Sequence, residues 1–349
     1  MFLPVKPNIP FLFFCLLLLH GTAAAQHNST ASNNAGQASV LLEKKIAQYK
    51  KLYPDMLFLN LRGGEETTED MGALEIVLGY QPVSLDYEHP LAARNDLTYV
   101  SIERIYIMLL NRMPSASLFK ADKPLGWQET VCVLTINPDE IAADALSSTG
   151  HLLNLPDETL QNIPHEIKLE PDAYLEFVIH HEIYHCLQSL YSGPQPMSDK
   201  ELWAEYNHFQ DELGADAYAL AMHIKTNIAA TAFAQNIKRI RGMTLYNADP
   251  DHLTCKALEQ IMGMPVTDIV DKNPREILDL ALQVKQDQSM SYDDYLVYLS
   301  SAIQAMLTLG IKPELLKSLQ ERISTPPDAA LATELINKSK QCMAEISGN

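Results

Sequence analysis

The chain has 349 residues, 47% of them hydrophobic, with 26 basic against 44 acidic side chains and a formal charge of -18. That length carries one large domain or two smaller ones with a substantial core. The acidic balance weighs against nucleic acid and anionic membrane surfaces as partners, and its plain consequence is solubility.

Residues 1–25 read as a secretory signal. Lys6 is the only charged side chain there, Phe11 to Leu19 is an unbroken apolar run, and small residues lead to a cleavage point between Ala25 and Gln26. The run is short for a membrane span, which takes about 20 residues. The expectation is an exported protein, periplasmic or secreted, with no stable membrane insertion after cleavage. Four cysteines then remain, Cys132, Cys186, Cys255 and Cys342. An even number in an oxidising compartment permits two disulfides, whose pairing the sequence leaves open.

Residues 26–38 are polar and small and read as a disordered leader. A helix is expected from about Ala38 to Tyr53, ending before Pro54. Residues 39–169 form an N-terminal α+β part. Its strand candidates are LTYVSIERIYIMLL (97–110), which also admits a helix, and ETVCVLTI (129–136). The second could be a sheet edge that pairs with an extended substrate. Residues 146–169 read as a long loop.

From Pro171 the pattern turns helical. One helix is expected from Pro171 to about Tyr191, and a second from a capping box at Ser198 and Glu201 to about Lys225. Further helices fill 227–345, with breaks near Asp249-Pro250, Asn273-Pro274, Gly310 and Pro326-Pro327. The apolar stretch 296–311 carries serines and a glutamine and reads as a core helix. The divisions are 170–260 for the helices that carry chemistry and 261–349 for a helical C-terminal part.

The chemistry begins in VIHHEIYHCLQ (178–188). His181 and His185 are four apart, so their side chains point about 40° apart on one helical face. Two imidazoles so placed can share one metal ion. Glu182 lies beside them and can act as a general base without being a ligand. The alternative is a buried helix with satisfied core histidines. His180 and Cys186 point away from the pair and are read as neighbours.

A catalytic zinc usually takes three protein ligands and keeps a fourth position for water. The next helix carries EYNHFQDELGADAYAL (205–220). Glu212 can be the third ligand. Asp216, one turn on, can accept the second ring N–H of a ligand histidine. Asp216 or His208 as third ligand remain alternatives, and a solvated acidic face is the bland reading of this helix. Gly214 and Ala215 would let the two helices approach closely.

HEIYH followed by ELGAD resembles the gluzincin clan of zinc metallopeptidases over residues 170–225. The resemblance implies a zincin-like α+β fold, with a small mixed sheet before the HExxH helix and a mostly helical C-terminal part. It implies one zinc per chain held by His181, His185 and Glu212, with Glu182 as base and Asp216 supporting. A metzincin would need glycine and histidine where Gln188 and Tyr191 stand. Gluzincins also use a downstream histidine or tyrosine as oxyanion donor. His252 in YNADPDHLT is the candidate here, with Tyr246 in reserve. The expected function is an exported zinc metallopeptidase acting on peptides or proteins. A non-catalytic zinc-binding or interaction module on the same fold, or a metal-free helical interaction protein, are the alternatives.

Overall fold

The computed structural model describes residues 31–62, 109, 114–120, 130–141, 167, 169–192, 202–227 and 231–344. The signal at 1–25, most of 97–110, nearly all of 146–169 and the Ser198–Glu201 box lie outside the described residues. The chain divides into two compact units, 1–32 with 46–137, and 33–45 with 138–349.

The first unit holds a three-stranded mixed sheet of β1 (Met56–Leu61), β2 (Ala116–Lys120) and β3 (Thr130–Thr135). The order is β1-β3-β2, with β3 parallel to β1 and antiparallel to β2. The expected substrate-pairing edge at ETVCVLTI is therefore corrected, because β3 has a hydrogen-bonded neighbour on both sides. Its burial explains the placement: Val131 to Thr135 are all buried, the near-continuous pattern of a strand covered on both faces.

Helix α1 runs Ala31–Leu52. It starts before Ala38, so residues 31–38 are helical, not a disordered leader. No proline interrupts them, and once a helix is nucleated each further residue adds a hydrogen bond. Tyr53 N–H donates to the Tyr49 carbonyl to close the last turn before Pro54.

The second unit is helical: α2 (Pro171–Ser192), α3 (Trp203–Thr226), α4 (Thr231–Met243), α5 (Cys255–Met262), α6 (Val266–Val270), α7 (Pro274–Gln288), α8 (Tyr292–Thr308), α9 (Pro313–Arg322) and α10 (Ala329–Met343). Breaks fall at the prolines and at Gly310, as the sequence implies. Asn273 and Glu276 close a capping box on α7, where Pro274 supplies the first turn. Helix α3, expected to start from Ser198–Glu201, starts at Trp203. Leu202 precedes it with φ 63°, a left-handed conformation that no helix continues through.

Helix α3 is the axis of this unit. Nearly every side chain from Phe209 to Ile224 is buried, with α2, α5, α6 and α7 against it. A helix buried all round has no solvated face, so the bland reading of its carboxylates fails: Glu212 is 1% and Asp216 0% exposed. Helix α2 comes so close that a Cβ on Gly214 would stand 1.9 Å from the Tyr184 hydroxyl. Only glycine fits that crossing. A disulfide joins Cys255, at the start of α5, to Cys342, near the end of α10. Cys132 and Cys186 are not free thiols either. No described helix is long and apolar enough to cross a membrane.

Candidate metal centre

Helices α2 and α3 bring His181, His185 and Glu212 together, with one donor atom from each within 4.8 Å of the others. His181 Nε2 lies 3.0 Å from Glu212 Oε2, and His185 Nε2 lies 3.4 Å from Oε1. The His181 and His185 rings stand 5.2 Å apart, as one helical turn requires.

Two carboxylates in a helical core need opposite charge around them. Asp216 has it in full. His181 Nδ1 lies 2.9 Å away, Arg241 Nε and Nη2 donate at 2.7 Å each, and the Thr254 hydroxyl also donates. Burial pushes the Asp216 carboxyl up, but Arg241 and His181 outweigh it and hold it well below the usual carboxylate range. Both Asp216 oxygens are thus engaged by Arg241, His181 and Thr254, and neither belongs to the group of donors that could hold an ion. Asp216 fixes a proton on His181 Nδ1 and leaves Nε2 turned toward Glu212.

Glu212 is answered differently. Four imidazoles face it, from His181, His185, His208 and His252. Burial raises its pKa, and those rings, His252 foremost, bring it well below the ordinary value. Oε2 is fully buried, with two ring nitrogens 3.0 Å from it and no well-aligned hydrogen bond among the described residues. Both rings are its charge partners, and a divalent cation could take the place of their protons beside this oxygen. The donor set fits that use, because two imidazoles and a carboxylate are ordinary ligands of a divalent transition metal. The surrounding field also favours positive charge. Burial alone would lower His181, but Glu212 and Asp216 lift it to about 9. A cation held there would replace such protons.

Glu182 is 7% exposed and makes no hydrogen bond or ion pair among the described residues. Its side-chain oxygens, one residue past His181, have acceptor capacity that no described residue uses. His180 turns the other way, with Nε2 3.4 Å from Glu176 and its ring against Tyr218. Lys45 and the Thr226 hydroxyl complete that separate buried group.

His252 sits on the turn between a short 3-10 segment (Thr244–Asn247) and α5. Its Nδ1 lies 2.7 Å from Asp249 Oδ2 and its Nε2 faces Glu212 Oε2. Burial lowers an imidazole, but Asp249 and Glu212 raise this one well above its usual value. Helix α8 holds the turn from below, where Tyr298 donates to the Pro250 carbonyl at 2.6 Å and Tyr295 to Asp251. Tyr246 makes no hydrogen bond or ring contact with the cluster among the described residues.

Arg241, Thr254, Tyr295 and Tyr298 are the contributors that sequence reasoning missed. Arg241 ends the basic stretch of α4, and nothing in its spacing points to Asp216. The Asp249 to His252 turn had a signal in Asp-Pro-Asp, but its anchors on α8 had none. No protein-family model, no curated protein and no solved structure matches this chain.

Proposed function

We propose that this chain is an exported zinc metallopeptidase of gluzincin type, on a zincin-like arrangement of helices. The observation that carries the reading is the convergence of His181, His185 and Glu212 within 4.8 Å, with the Glu182 side chain, which no described residue pairs, beside His181 on the same helix. A purely structural metal site has no use for such a base. His181, His185 and Glu212 would hold the zinc, and Asp216 with Arg241 behind it would fix the His181 ring. When bound, zinc supplies Lewis acidity that draws down the pKa of water and polarises a carbonyl.

The chain's own groups divide the rest of the work. Glu182 takes the proton of the attacking water and passes it to the leaving amine. His252, kept protonated by Asp249, donates from Nε2 to the developing oxyanion, a contribution of about 3 kcal/mol where such donors have been removed. The apolar leader with small residues behind it and the Cys255–Cys342 disulfide both favour an oxidising compartment outside the cytoplasm.

The test combines metal analysis with the Glu182→Gln variant. The mature chain should carry zinc and cleave peptides, and Glu182→Gln should keep the metal while losing cleavage by at least about a hundredfold. A chain that binds no zinc refutes the proposal. Zinc without cleavage across a broad peptide library would replace it with a binding module.

A further inference from the structure

The Glu212 carboxylate has imidazoles on both of its oxygens, two at each. His181 and His252 stand at Oε2, and His185 and His208 at Oε1. His181 and His185 account for one cation. The second pair forms a triangle of its own with the same carboxylate. His208 Nδ1 lies 3.3 Å from Oε1, His252 Nε2 lies 3.0 Å from Oε2, and the three donors fall within 4.8 Å of one another.

We propose that His208, Glu212 and His252 form a second divalent-cation site, joined to the first through the Glu212 carboxylate. One feature is Oε2 itself, a buried carboxylate oxygen with an imidazole of each triangle 3.0 Å away and no well-aligned hydrogen bond among the described residues. Another is the preparation of His252. Asp249 Oδ2 lies 2.7 Å from its Nδ1, an ion-pair contact of the kind in which a carboxylate supports a metal-ligating histidine. The His208 and His252 rings are nearly perpendicular at 83°, with centroids 5.9 Å apart, so their nitrogens approach a common point from different directions.

Access differs between the two triangles. The side chains of His208 and His252 are 38% and 24% exposed, against 7% for His181. The second site opens toward solvent, exchanges its ion more readily and binds it more weakly. Its donors suit zinc, cobalt or nickel over magnesium or calcium. Paired metal sites of this kind place their ions about 3.5–4 Å apart around shared ligands. Filling the second site commits Nε2 of His252 to a cation and withdraws it as a proton donor. That consequence rests on the peptidase reading, whereas the site itself rests on the triangle.

The experiment is a Co(II) titration of metal-free mature protein, followed by visible absorption and by metal analysis after equilibrium dialysis. The wild type should take up two equivalents in a tight and a weaker step. His208→Ala should lose only the weaker step and keep the spectrum of the tight one, and His208→Asn should do the same. His181→Ala should lose the tight step. Saturation of the wild type at one equivalent overturns the second site and leaves the first standing. Two equivalents in both His208 variants overturn the ligand assignment. No uptake at all overturns both sites together.

Discussion

Arg241→Met removes a guanidinium and keeps an apolar stem of similar reach. In the native chain Asp216 is 0% exposed, and Arg241 supplies two of its hydrogen bonds, both at 2.7 Å. Removing one partner of a buried ion pair costs about 3–5 kcal/mol, because the remaining charge stays buried. At about 1.4 °C per kcal/mol for a chain of this length, the midpoint should fall by roughly 4–7 °C. His181 and Thr254 still reach Asp216, which favours the lower end. The pH dependence identifies the cause. Burial raises the Asp216 carboxyl, and Arg241 and His181 more than reverse this, so its folded pKa lies below 3.8. A carboxyl depressed in this way contributes stability above its unfolded pKa, and that stability is lost as pH falls below about 4. In the variant the depression shrinks. The gap between the two proteins should be full at about pH 6–7 and close in acid as Asp216 takes a proton. Thermal melts of metal-free protein followed by circular dichroism, across that range, measure the gap. Metal affinity should fall about 10–100-fold, since His181 loses part of its support. A midpoint unchanged at neutral pH, or a gap that does not close in acid, would refute the argument.

Gly214→Ala should destabilise the chain by at least about 1–3 kcal/mol, because the new Cβ meets the fully buried Tyr184 ring. Tyr184→Phe in that background should restore part of the loss in a urea titration. Asp251→Asn should flatten a loss of stability between about pH 4 and pH 8. Burial first, and then the Asp249 charge, push Asp251 up to about 8. Between about pH 4 and pH 8 the folded chain thus keeps a proton that the unfolded chain has released, and stability falls as pH rises. Melts at both ends of that window would show it. Tyr298→Phe should cost about 1 kcal/mol through the lost bond to the Pro250 carbonyl. Because it loosens the turn under His252, it should, on the proposed peptidase reading, lower kcat for peptide cleavage more than it lowers metal content.

What could be read from the sequence followed from how local each feature is. His181, Glu182 and His185 are marked by helical period alone, and Glu212 and Asp216 by the same period among small residues. Those five lie on two adjacent helices, so a single pairing of elements places them all. Arg241 and Thr254 meet Asp216 only because α4 and the start of α5 fold back over α3, and no spacing records that. The strand at 130–135 was legible as a strand. Its position between two neighbours was not, since pairing partners lie far along the chain. The early start of α1 was hidden by composition, because asparagine and serine read as loop when nothing downstream is weighed. His208 was legible as an alternative ligand, but its partnership with His252 required the turn to be seen in place.

The Cys255–Cys342 bond closes a loop of the chain, with a separation of 87 residues, around α5 to α10. A protease that nicks any surface turn between those cysteines produces two polypeptides that remain covalently one molecule. The His252 turn, three residues before Cys255, stays tethered to its C-terminal helix through such a cut. Clipping of this region would then be silent until the bond is reduced.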